Sequence, residues 1–189
     1  MTIPRPCGDC TFCCKTLKID QLAKPAGRWC VHCAQGRGCK IYDERPEVCR
    51  TYQCVWTQAD VLSNIWRPDR AKFLMESRDA SDGPPDLIAG RFVKNELIVV
   101  VEPSMPDAWR REPYYAQLKK LADRKVVPYT VVLVRIRDRI SMLFPEGEID
   151  LGPNRPGHRI NSGYEERAGK LVPFASFVEE AGRRRPWTP

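Results

Sequence analysis

Apolar positions change character near Lys72. Beyond it they gather into short runs and alternations, the longest being Leu97 to Val101 and Val131 to Val134. Such runs are strand-sized, far short of the roughly 20 residues that cross a bilayer as a helix. The pattern predicts a strand over Lys72 to Ser77. It predicts a hairpin of Leu87 to Val93 with Leu97 to Glu102, turning at Lys94-Asn95. A second hairpin is expected from Tyr129 to Arg135 and Arg139 to Phe144, with Glu146-Gly147 turning into Glu148 to Leu151. Between the hairpins, Pro113 suits a first helical position. Tyr114, Tyr115, Leu118, Leu121 and Ala122 then recur at helical spacing through to Lys125. Gly152 to Gly163, rich in Pro, Gly and Asn, reads as a long loop, and Phe174 to Ala181 as a short helix stopped by Gly182. This order predicts an α+β fold, a largely antiparallel sheet with one main helix.

Before Lys72 the chain is built differently, because all nine cysteines lie between Cys7 and Cys54. The expected organisation is a small irregular metal-organised module over 1–56, a connector over 57–71 containing Arg67-Pro68-Asp69-Arg70, and an α+β domain over 72–189. Only six residues precede Cys7, too few for an apolar leader, so the reading is cytoplasmic. In a reducing compartment nine cysteines point to metal ligands rather than disulfides, and an odd number fits complete pairing poorly.

The net charge of +7 suggests nucleic acid until it is divided. Residues 1–56 hold nine Lys/Arg against five Asp/Glu. A metal ligand must be deprotonated, and four thiolates on a divalent ion leave two negative charges. Two such sites would cancel the local excess. The remainder holds 22 basic and 19 acidic groups, a difference that Arg183, Arg184 and Arg185 account for. The basic excess therefore reads as counter-charge for thiolates, which speaks against a phosphate-binding surface.

The ligand candidates form two halves. Cys7, Cys10, Cys13 and Cys14 make a C-x2-C-x2-C-C box; Cys30, Cys33, Cys39, Cys49 and Cys54 follow. A C-x2-C pair lets a tight turn present two sulfurs to one ion. A triple repeat with a second pair about 20 residues later is a strong metal signal. The metal stays open between zinc and iron. Eight thiolates suit two tetrahedral zinc sites, with Cys13 and Cys14 diverging so that each serves one. Cys7, Cys10 and Cys13 equally match the start of a bacterial ferredoxin run, although Leu17 stands where the fourth cysteine belongs. His32 lies inside the second turn, and His158 in a Pro/Gly stretch without a catalytic partner.

The segment from Cys39 to Tyr52, Cys-Lys-Ile-Tyr-Asp-Glu-Arg-Pro-Glu-Val-Cys-Arg-Thr-Tyr, taken with the first box, resembles the YkgJ-like cysteine-cluster family, described as zinc- or iron-chelating. Cys7, Cys10, Cys13 and Cys14 match the family's CxxCxxCC box. Cys30, Gly38-Cys39, Ile41-Tyr42, Arg45-Pro46 and Cys49-Arg50 match its second segment. Cys33 stands where many members carry an apolar residue, which marks it as the spare thiol. The resemblance covers residues 7–56 and implies a chelating site without naming an activity. A flagellin lysine methylase carries a similar box, so a redox role stays open. In this segment Arg45 and Arg50 would hold thiolates in their charged form. Pro46 would begin a short helix carrying Cys49, and Tyr42 would pack against the cluster wall.

No Ser/His/Asp set, phosphate-binding glycine loop or nicotinamide fingerprint is present, which leans away from an enzyme. The expected function is metal binding through the cysteine cluster, the metal being structural or carried for a protein partner. The alternatives are an iron–sulfur redox protein and a zinc module contacting nucleic acid or protein.

Overall fold

The computed structural model describes residues 5–79, 87–88, 91–92, 95–123 and 130–179. The chain begins with short pieces. They are helix α1 (Phe12–Thr16), the two-residue strands β1 (Cys33–Ala34) and β2 (Gly38–Cys39), and helices α2 (Glu47–Thr51), α3 (Val55–Gln58) and α4 (Pro68–Ala71). Strands β3 (Phe73–Asp79), β4 (Leu87–Ile88), β5 (Arg91–Phe92) and β6 (Asn95–Val101) follow, then helix α5 (Tyr114–Ala122). The chain closes with β7 (Thr130–Ile136), β8 (Arg139–Leu143), β9 (Glu148–Pro153), β10 (His158–Arg167) and β11 (Lys170–Glu179). The fold is α+β, as expected.

The central sheet has five strands in the order β3-β6-β7-β8-β9, antiparallel except for the parallel pair β6–β7. β6 is apolar without interruption from Leu97 to Val101 because it is a central strand covered on both faces. Its alternate residues serve different cores. Leu97, Val99 and Val101, with Phe73, Met75, Val132 and Val134, face α5, where Leu118 and Trp109 are fully buried. Leu118 and Ala122 follow Tyr114 at four-residue steps, so one stripe of α5 meets this face. Trp66 and Ala71, in the expected connector, also belong to this core.

The opposite face is shared. Leu74, Ile98 and Val100 meet Phe12 and Leu17 of the cysteine module. Val131, Leu133, Ile140, Met142 and Phe144 meet Ile160, Tyr164 and Phe177 of the β10–β11 hairpin.

Three sequence expectations are corrected. The first hairpin pairs otherwise: β6 lies against β3, Phe73 opposite Val101, while β4 and β5 pair with each other. A fully apolar strand needs neighbours on both edges, and β3 matches its seven-residue length. Lys94, the expected turn, lies outside the described residues. The long loop over 152–163 is mostly strand, and the expected helix at Phe174 is the middle of β11. Both follow from Ala168 and Gly169, whose φ of 50° and 74° form a tight hairpin turn that registers ten residue pairs. Gly182 lies outside the described residues. Among those described, no helix is long and apolar enough to cross a membrane.

Candidate metal centre

The cysteine module owes its shape to backbone turns. Gly8 adopts a φ of 58°, a conformation that side chains resist, and the Cys10 amide donates to the Cys7 carbonyl at 3.1 Å. The Cys14 amide closes the next turn on Thr11 at 3.0 Å. The Cys30 amide then donates to the Cys14 carbonyl at 3.0 Å, fastening the second half of the motif to the first. The Cys33 amide donates to Cys30 at 3.0 Å, and Cys33 faces Cys39 across the β1–β2 pair. Pro46 precedes α2, which carries Cys49, as the sequence implied.

These turns bring seven thiols, those of Cys7, Cys10, Cys13, Cys14, Cys30, Cys39 and Cys49, to the wall of one cavity of about 350 Å³. Leu17, Ile19, Leu22, Ile41 and Val48 supply apolar wall between them, and Tyr52 closes one side. Cys33 is outside the lining but touches it, since its thiol hydrogen-bonds with Cys14 and with the Thr11 hydroxyl. Cys54 is buried in the helix-side core with Trp56. All nine cysteines are free thiols. Among the described residues, no group of three or more Cys, His, Asp or Glu side chains is arranged to hold a metal ion. The cavity therefore gathers donors without a preformed coordination sphere.

Cys13 and Cys14 do not diverge. Their thiols hydrogen-bond to each other and both line the same cavity. The consequence is electrostatic. That hydrogen bond, followed by burial and the neighbouring charge, pushes Cys13 far up. The bond from Cys13, helped by those from Cys33 and by the charges of Lys24 and Arg45, brings Cys14 down to about 6 against the opposing effect of burial. The pair titrates as a unit, the bond favouring the proton on Cys13 and the thiolate on Cys14. Burial raises Cys7, Cys10 and Cys49, and lifts Cys33 to about 11. Of these shifted thiols, Cys14 alone is drawn toward the thiolate.

Lys18, Arg37 and Arg45 line the cavity, and two cations, Arg45 and the nearby Lys24, act on its thiols through their charge. Arg45, expected from the motif, lowers Cys7, Cys14 and Cys49 by its charge. Its guanidinium lies 3.7 Å from the Tyr42 ring centre, and its Nε donates to the Tyr42 carbonyl at 2.8 Å. Tyr42 lines the cavity while remaining largely exposed. Lys24 is the residue that sequence reasoning missed. It is buried, and its Nζ donates to the Lys15 and Pro25 carbonyls at 3.2 and 3.1 Å and to that of Leu17. Burial draws its pKa down; the charges of Cys30, Cys14, Cys13 and Cys49 oppose that. A lone lysine between Ala23 and Pro25 has no spacing to reveal it. Arg50 is exposed on α2.

Arg67 fixes the outer edge. It pairs with Asp9 in the first cysteine turn, reaches Asp69 at 2.9 Å, and hydrogen-bonds to the Cys10 sulfur. On the inner side the Tyr52 phenol is driven up by burial first, then by the Glu76 carboxylate beneath it. His32 lines the cavity rim. His158 is remote from it, on β10, stacked 4.6 Å from the Phe177 ring.

No family model, curated protein or solved structure matches the chain. The chemistry of the cavity has to be read from its own residues.

Proposed function

We propose that this chain is a metal-binding protein whose cysteine cavity takes zinc or iron, either as a structural ion or as cargo for a protein partner. The observation that carries the reading is the convergence of seven thiols on one cavity of about 350 Å³. A stack of packed thiols without a ligand needs no such space, and soft sulfur donors suit zinc and iron–sulfur chemistry. The residues that would hold the metal are Cys7, Cys10, Cys13, Cys14, Cys30, Cys39 and Cys49, with Cys33 adjacent and Cys54 behind them. The bound metal would supply thiolate cross-linking of the two halves of the motif. Lys24 and Arg45 offset the negative charge that accumulates when thiols ionise. This reading agrees with the resemblance of residues 7–56 to the YkgJ-like family, and with nine cysteines that are all free thiols, the state that a reducing compartment maintains.

The short elements bearing the ligands, five residues or fewer, make the wall adjustable. Metal uptake is therefore coupled to local ordering. Cobalt titration of the reduced, metal-free chain tests the reading. Saturable sulfur-to-cobalt absorption, displaced by zinc and lost in Cys14→Ser or Cys49→Ser, is the expected result. A chain that takes up neither ion with saturation is not a chelating protein.

A further inference from the structure

Cys33 is outside the cavity lining, yet its sulfur is held against that wall. Two anchors put it there. The Cys30 amide donates to the Cys14 carbonyl at 3.0 Å, and the Gly36 amide donates to the Thr11 hydroxyl at 3.1 Å. Residues 30–36 thus run back along residues 11–14, and Cys33 stands midway between the anchors. Thr11 is buried, and its hydroxyl also bonds to the Cys33 sulfur, so one side chain fixes both the turn at Gly36 and the thiol. The other hydrogen bond of the Cys33 thiol is to Cys14.

Sulfurs in hydrogen-bond contact need only a short approach to bond covalently. Cys14 has two such neighbours, Cys13 and Cys33. Adjacent Cα atoms are about 3.8 Å apart across a trans peptide, whereas a disulfide spans about 4.4–6.8 Å between Cα atoms. Cys13, next to Cys14 in α1, therefore cannot bridge to it while the helix persists. Cys33 comes from a separate segment and carries no such restriction. It is half-buried beside exposed Gln35 and Arg37, within reach of a small oxidant.

We propose that Cys14 and Cys33 form a reversible redox pair, which a hydroperoxide links as a disulfide. One sulfur, as thiolate, attacks the terminal peroxide oxygen; the O–O bond breaks, a sulfenic acid forms, and the departing alkoxide or hydroxide takes up a proton. The second thiol then attacks that sulfur, the S–O bond breaks, and water leaves. Two thiols and one hydroperoxide give one disulfide, one alcohol (water, for hydrogen peroxide) and one water, the sulfurs losing two electrons in all. Cys14 is among the proposed metal ligands, so the bond withdraws a ligand and releases the ion. That consequence rests on the metal reading; the disulfide itself does not. It gives Cys33 a role as the resolving thiol, held against the wall without lining it.

Exposure of the reduced full chain to hydrogen peroxide, with and without bound zinc, tests the proposal. Free thiols are then alkylated, and linked peptides are assigned by fragmentation in the mass spectrometer. The expected product is one disulfide, Cys14 to Cys33, reopened by dithiothreitol. In the zinc-loaded chain, a chromophoric chelator should record zinc leaving on the same time course. Cys33→Ser should bind zinc as the parent does, but lose both the disulfide and the dithiothreitol-reversible part of the release. The mapping in the unaltered chain needs no variant. A chain that takes up no zinc contradicts the metal reading, and the metal-free arm still decides the disulfide. Linkage of Cys33 to its cross-strand neighbour Cys39, linkage of Cys13 to Cys14, no disulfide, or zinc retained after the disulfide forms would overturn the proposal and leave the metal reading standing.

Discussion

Lys15 and Glu102 form an ion pair at 2.9 Å that joins the cysteine box to the end of the central sheet. Lys15 follows Cys14 directly, and Glu102 follows the last residue of β6. Glu102 is nearly buried and also accepts from the Ser104 hydroxyl at 3.2 Å. Glu102→Gln removes the charge and leaves the ammonium half-covered. The expected loss is about 1.5–3 kcal/mol, the range for a hydrogen bond to a charged group. Urea denaturation of the variant beside the parent chain measures it.

Phe12 makes the same connection through apolar contact, packing on Leu74, Ile98 and Val100. Phe12→Ala should cost about 3–5 kcal/mol. Because Phe12 precedes Cys13 in α1, fluorescence and thiol accessibility should report one shared unfolding transition. Two separated transitions would show that the module folds apart from the sheet.

On the other side of the sheet, Glu148 is held at both oxygens. The Tyr115 hydroxyl donates at 2.5 Å and the Arg110 Nε at 2.8 Å. Burial would raise Glu148, but these two donors hold it below the usual carboxylate range. A depressed carboxylate contributes stability that is present above its unfolded pKa of about 4.3 and is lost as pH falls through the lower folded value. Tyr115 is pushed up to about 12, first by its bond to Glu148. Its contribution is present below about pH 10 and lost as pH rises through the folded value. Tyr115→Phe should return the Glu148 titration toward the ordinary range. A carbon NMR pH titration of the carboxyl group reads the change directly.

Metal uptake should release protons. Burial raises Cys7, Cys10 and Cys49, and Cys13 is held protonated by its bond to Cys14, so these thiols enter a metal site by losing a proton. Zinc binding should therefore weaken as pH falls from 8 to 6. Its calorimetric enthalpy should vary linearly with the ionisation enthalpy of the buffer. An enthalpy independent of buffer would mean that the thiols titrated are not the ligands.

Much of the fold was legible because period-two and period-four patterns survive in the sequence. β3, β7, β8 and α5 lie where the alternation put them. Pairing was less legible, since a continuous run such as Leu97 to Val101 has no face preference and does not name its neighbours. β10 and β11 were missed because Pro, Gly and Asn outweighed a turn as short as Ala168-Gly169. In the cavity, the spacing of the cysteines anticipated their gathering. It did not reveal that Cys13 and Cys14 share one wall, or that the charge of buried Lys24 acts on Cys14, because both depend on how the chain folds.

Elemental analysis of the chain purified anaerobically from its native source tests the central claim most directly, since zinc from an expression host can displace iron. The account predicts at least one equivalent of zinc or iron per chain, with fewer than nine thiols open to a sulfhydryl reagent until a chelator is added. Metal-free protein with all nine thiols reactive from the start would contradict it.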